Sequence, residues 1–110
     1  MNRDQGDLFG QVALLEDAPT IGDQFERFHE TNPEVYAELV DLARQMKARG
    51  HVRCGIGMLY EVVRWQRSMK TTDDAEWKLN NNYRSHYARL IMRTEPDLEG
   101  FFELRELRAP

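Results

Sequence analysis

Between Asn32 and Gly50, apolar residues recur at the spacing of one helical face: Val35, Leu39, Leu42 or Ala43, and Met46, with Tyr36 and Val40 widening the stripe. Both ends carry stop and start signals. Asn32 can cap, Pro33 is preorganised for a first helical turn, and Glu34 favours the positive helix end. Arg44, Lys47 and Arg49 load the negative end and Gly50 supplies the stop. The spacing predicts a helix over 33–49. In a chain of 110 residues, 41% of them hydrophobic, there is apolar material for one modest core around it.

Other helices are readable on either side. Phe25 and Phe28 lie three apart in a short helical segment over 22–30. Ile56, Leu59, Tyr60 and Val63, continued by Trp65 and Met69, predict a helix over 56–69 with Arg64 and Arg67 outside. His51 to Gly55 reads as a connector with room for one short strand, and Lys70 to Glu76 as a polar loop. A third helix is expected over 80–93, with Asn80 as its cap, ending before Glu95-Pro96. Asp97 to Gly100 resembles a turn, and Phe101 to Leu107 suits a strand or a last helical turn. The expected fold is mainly α, a compact three- to four-helix domain over 21–110 behind a flexible acidic arm, 1–20. A helix-turn-helix or winged-helix arrangement, with a wing from 94–107, fits the element order. A join of about ten residues between the second and third helices departs from the three or four usual in that motif.

Charge is segregated along the chain although the net value is only −4. Residues 1–40 carry nine acids against two bases, 41–93 carry eleven bases against five acids, and 94–110 carry five acids against two bases. A basic middle between acidic ends suits a local nucleic-acid footprint; charges pairing between neighbouring helices is the plainer explanation. Residues 78–93 concentrate the basic chemistry, with three consecutive asparagines, four basic residues, two tyrosines and a histidine and no acid. Asn and Arg can pair with adenine and guanine edges, while Lys, Arg, Ser and Tyr hold phosphate oxygens. If Leu79, Tyr83, Tyr87, Leu90 and Ile91 face the core, the opposite side presents Asn81, Arg84, Ser85, Ala88, Arg89 and Met92. Lys78, Asn81, Arg84, Ser85, Arg89 and Arg93 are the candidate DNA-binding residues. A solvated face of an ordinary bundle helix is the competing reading.

The arm holds a second clue in Gln5-Gly6-Asp7-Leu8-Phe9. It resembles the pentapeptide by which bacterial replication and repair proteins dock on the sliding clamp. The resemblance implies that Gln5 enters a polar pocket and that Leu8 and Phe9 fill a hydrophobic one, with Asp7 matching and Gly6 departing where Leu is common. Such a peptide suits an extended arm. Residues 25–108, with Phe25-Glu26-Arg27-Phe28-His29, Asn32-Pro33, Asn80-Asn81-Asn82-Tyr83, Tyr87-Ala88-Arg89 and Phe101-Phe102-Glu103-Leu104-Arg105, also resemble small proteins encoded in bacteriophage and prophage genomes. That resemblance implies a setting, a phage or bacterial cytoplasm, and no mechanism.

Catalysis finds little support. His29, His51 and His86 are scattered, His51 with Cys54 is half a zinc site without a second pair, and Asp73, Asp74 and Glu76 suit a solvated loop better than a metal site. Gly55-Ile56-Gly57 is an incomplete glycine-rich phosphate loop. Trp65 and Trp77 are expected in the core, with base stacking as the alternative. No run is long and apolar enough to cross a bilayer, the N-terminus lacks a signal peptide's order, and the single Cys54 cannot form an internal disulfide; a cytoplasmic protein is expected. The leading expectation is a non-enzymatic DNA-binding protein of phage or bacterial replication, repair or transcription, without cofactor or metal. The runner-up is an interaction module or inhibitor docking on a partner such as the clamp, and a metal-dependent nuclease is third.

Overall fold

The computed structural model describes residues 18–70 and 79–103. Four α-helices make up most of it: α1 Ile21–Thr31, α2 Pro33–Ala48, α3 Ile56–Lys70 and α4 Arg84–Thr94. Short 3₁₀ turns, Asn81–Tyr83 and Pro96–Leu98, flank α4. Among the described residues the sole β pairing is an isolated parallel bridge between Cys54 and Phe102. The mainly helical expectation holds. The described part of the expected wing consists of one 3₁₀ turn and that bridge.

Helix α1 begins with a capping box. The Thr20 hydroxyl accepts from the Asp23 amide at 3.0 Å while the Asp23 carboxylate accepts from the Thr20 amide at 3.3 Å. The end of α1 corrects the expectation for Asn32, whose side chain makes no cap bond for α2. Its amide nitrogen instead donates to the Phe28 carbonyl at 3.1 Å, beside its own backbone N–H at 2.8 Å. Asn32 therefore closes α1, and Pro33 at the first position starts α2 without it. Gly50 ends the α2 segment at φ 106, a left-handed conformation in which a Cβ is strained.

The core forms where the helical stripes meet. Val35, Leu39, Val40 and Ala43 of α2 are buried with Ile56, Leu59, Tyr60 and Val63 of α3, and Tyr87, Ala88 and Ile91 of α4. Phe25 brings α1 into this core edge-on to Tyr87, with ring centroids 4.7 Å apart at 90°. The final segment is drawn in by Leu98, Phe101 and Phe102, all buried. It is fixed by backbone bonds from Cys54 N to Phe101 O at 3.0 Å and from Glu103 N to Cys54 O at 3.2 Å.

Three side-chain expectations are overturned. Trp65 and Met69 are 63% and 67% exposed, because they project from the side of α3 opposite the buried Leu59, Tyr60 and Val63. Arg67 is not outside: it is part-buried and pairs with Glu38 at 3.0 Å and Glu34 at 3.5 Å, and Arg64 is likewise half-covered. Ala88, expected on the outer face of the third helix, is fully buried, and Met92 packs partly against the core. The physical reason lies at the helix start. Residues 81–83 form a tighter 3₁₀ turn, so α-helical phase begins only at Arg84, and α4 packs against both α2 and α3.

Candidate nucleic-acid interface

The start of α4 is held by α3. Asn80 opens the 3₁₀ turn, its side-chain oxygen accepting from the Asn82 amide at 2.8 Å, while its carbonyl accepts from the buried Tyr60 hydroxyl at 2.6 Å. Arg64 lies along the same turn. Its Nη2 donates to the Leu79 carbonyl at 2.8 Å and to Asn81 Oδ1 at 2.6 Å, and its guanidinium sits 5.6 Å from the Tyr60 ring centroid. Burial pushes the Tyr60 hydroxyl well above its ordinary range, keeping it a neutral donor.

This anchoring opens a cleft of about 770 Å³ between the first turn of α3 and the start of α4. One wall is Gly55, Ile56 and Gly57; the other is Asn81, Asn82, Arg84, Ser85 and Arg89, with Glu103 also lining it. The first turn of α3 contains no acidic residue, so its backbone N–H groups and positive dipole end meet no carboxylate within the helix. A guanidinium stands beside it instead. Arg84 Nη1 lies 3.6 Å from where a Cβ on Gly57 would project, and Arg84 Nε donates to the Asn81 carbonyl at 3.2 Å. Two sources of positive potential are thus adjacent, an arrangement that favours an anion.

The basic residues divide into two sets. Arg44 pairs with Glu95 and Asp97, Arg64 with Glu61, and Arg67 with Glu34 and Glu38. Among the described residues, no carboxylate forms an ion pair with Arg84, Arg89 or Arg93. Arg89 makes only a long 3.4 Å contact to Ser85 Oγ. Arg44 and Arg67 are thus paired across elements and Arg64 within α3, whereas the guanidiniums of α4, like the bases Arg27, Arg49, Arg53 and Lys70, form no ion pair among the described residues.

The expected site is partly assembled. Asn81, Arg84, Ser85 and Arg89 share the cleft, but the side-chain Oδ1 of Asn81 already accepts from Arg64, which leaves its Nδ2 hydrogens for outward partners. Arg93 lies one helical turn beyond Arg89 in a second groove of about 750 Å³ between α1 and α4, where Arg27 and His86 are mixed with Asp23, Glu26 and Glu30. Arg89 lines both. Lys78 and Trp77, and Gln5, Asp7, Leu8 and Phe9, lie outside the described residues. Sequence reasoning missed Asn82 and the Gly55 to Gly57 backbone as partners of the basic face. The glycines were the available signal, but only the approach of α4 gives them a role.

The chain matches no protein family, no curated protein and no solved structure.

No group of three or more His, Cys, Asp or Glu comes together as a metal site among the described residues. The histidines scattered in sequence are in part gathered: His29 and His86 both lie against the Phe25 ring, with centroids 5.9 and 5.3 Å away. Cys54 is buried, and burial, with Glu103 nearby, raises its thiol pKa away from a reactive thiolate. No helix among the described residues is long and apolar enough to cross a membrane.

Proposed function

We propose that the protein is a non-enzymatic DNA-binding protein in which the Asn81–Tyr83 turn and α4 meet the phosphate backbone. The supporting observation is the set of guanidiniums on α4 that form no ion pair among the described residues, two of which line a cleft whose other wall is the acid-free first turn of α3. Arg84 and the α3 N–H groups suit a phosphate at the cleft; Arg89 and Arg93, one turn apart, suit phosphates along the outer face. Asn82 and the Asn81 amide are the groups placed to read a base edge beside them. The proposed setting is phage or bacterial replication, repair or transcription, with α3 and α4 acting as a long-jointed helix-turn-helix pair.

Fluorescence anisotropy with labelled duplex DNA at several salt concentrations tests this. Neutralising about three phosphates gives a log–log salt slope near −3, and Arg84→Ala with Arg89→Ala should weaken binding and flatten the slope by about 2. An unchanged affinity and slope in the folded double variant would remove α4 as the interface.

A second reading rests on the arm's sequence. Gln5, Asp7, Leu8 and Phe9 match a sliding-clamp docking peptide, so a clamp-binding module or inhibitor is proposed as the alternative function. Calorimetric titration of a peptide spanning residues 1–12 into purified bacterial clamp tests it independently of DNA. Roughly micromolar binding that disappears in Leu8→Ala with Phe9→Ala is expected; an absence of binding would remove the reading.

A further inference from the structure

Helix α3 is apolar on two opposite sides. Ile56, Leu59, Tyr60 and Val63 enter the core, while Met58, Val62, Trp65 and Met69 follow one another at steps of four, three and four residues. At the helical angle per residue these four form one narrow stripe, and it lies opposite the buried set. Met58 is 50%, Trp65 63% and Met69 67% exposed, and Val62 is half-buried. The steps are those of alternating a and d positions in a coiled coil. The other exposed large hydrophobics among the described residues, Ile21 and Val52, belong to no such row.

We propose that this stripe is the seam of a symmetric homodimer, with α3 packed antiparallel against α3 of a second copy. The register argues for a second copy over an unrelated partner, because the stripe is complementary to itself. A two-fold axis passing between Val63 and Arg64 sets Met58 against Met69 of the other copy and Val62 against its Trp65. The largest side chain then meets a small one, twice, whereas a parallel pairing would crowd Trp65 against Trp65. The flanks permit the approach. Glu61, Gln66 and Ser68 border the stripe, and the one charge among them is already paired with Arg64.

The size of the patch sets the strength. The exposed parts of Met58, Trp65 and Met69 amount to roughly 400 Å² of apolar surface per copy, and with the flanking residues a pair buries about 1,200 Å², the lower end for specific association. Area alone does not set affinity; for a patch this small we take dissociation on the order of 10 µM as the expectation, a dimer that forms at working concentrations and comes apart on dilution. The dimer does not depend on the nucleic-acid reading. If both hold, two α4 faces related by a two-fold axis would favour a palindromic pair of half-sites.

Sedimentation equilibrium of the full chain from about 1 to about 200 µM is the test, paired with tryptophan emission at the same concentrations. The expected result is a mass rising from one copy to two. The Trp65 contribution, taken as the difference between the parent and Trp65→Phe, should shift to the blue in step. Trp65→Glu with Met69→Glu, both on the outer side of α3, should stay at one copy throughout while keeping the circular dichroism of the parent. A single-copy mass over the whole range would overturn the proposal, as would a dimer indifferent to the two glutamates. Trp65 shielded from acrylamide in a monomer would assign the stripe to another part of this chain. Lost DNA affinity in the double variant with no change of mass would assign Trp65 to base stacking. Either outcome also refutes the dimer.

Discussion

Arg44 holds Asp97 with both of its carboxylate oxygens, Nε at 2.9 Å from one and Nη2 at 3.0 Å from the other, across 53 positions of sequence. The same Nη2 reaches Glu95 at 2.7 Å, and Tyr36 donates to the other oxygen of that carboxylate at 2.8 Å. These contacts tie α2 to the chain leaving α4. The Arg44 hydrogen bond holds the Asp97 carboxyl below its usual range. A carboxyl whose folded pKa is depressed adds stability that is complete above its unfolded pKa, about 3.9, and is lost as pH falls through the folded value. Asp97→Asn should therefore lower the melting temperature at pH 7 and reduce its fall below about pH 4. Thermal melts of both proteins from pH 2 to pH 7 check it; parallel curves would show that the clamp contributes nothing.

Two buried tyrosines should respond oppositely to loss of their hydroxyls. Tyr60 donates to the Asn80 carbonyl, whereas the Tyr87 hydroxyl is buried without a hydrogen-bond partner among the described residues. Tyr60→Phe should cost about 0.5–1.5 kcal/mol, while Tyr87→Phe should be neutral or stabilising. Urea unfolding of the two variants against the parent gives the comparison, and an equal loss in both would refute the distinction.

Leu39 is fully buried at the centre of α2. Leu39→Ala should cost about 2–5 kcal/mol, a large share of the stability of a domain this size. Chemical denaturation reads the loss directly, and a variant that unfolds with the parent would place the core elsewhere.

Glu103 is the carboxylate lining the cleft that holds Arg84 and Arg89. If phosphate enters there, Glu103→Gln should strengthen DNA binding by roughly two- to fivefold at low salt and by less as salt rises. Anisotropy titrations of the variant at two salt concentrations decide it; unchanged or weaker binding would put the phosphate elsewhere.

How much of this was legible depends on the range over which each signal acts. Helical period and local punctuation made α2 readable almost to its ends, since Val35, Leu39 and Ala43 obey one interval and Gly50 must take a positive φ. The same local rules located α3 and the capping role of Asn80, but not the 3₁₀ turn that delays α4 to Arg84, and charge counting singled out the stretch that contains Arg84, Arg89 and Arg93. What sequence by itself determined, then, was the set of helices, the apolar stripes available to join them, and the concentration of basic residues in the acid-free stretch after Asn81.

Tertiary packing decided which stripes were used and which charges were cancelled. Helix α3 offers two apolar faces, and no periodicity indicates that Val63 turns inward while Trp65 is left outside; that follows from which side α2 and α4 cover. Arg67 and Arg84 are equivalent as letters. The approach of Glu34 and Glu38 pairs the first, and the start of α3 gives the second a cleft. The same holds for Asn32 and Ala88, whose roles turn on a 3.1 Å bond to Phe28 and on a 3₁₀ turn that rotates α4. Local propensity acts over a few residues, whereas burial and ion pairing are settled between elements far apart in the chain.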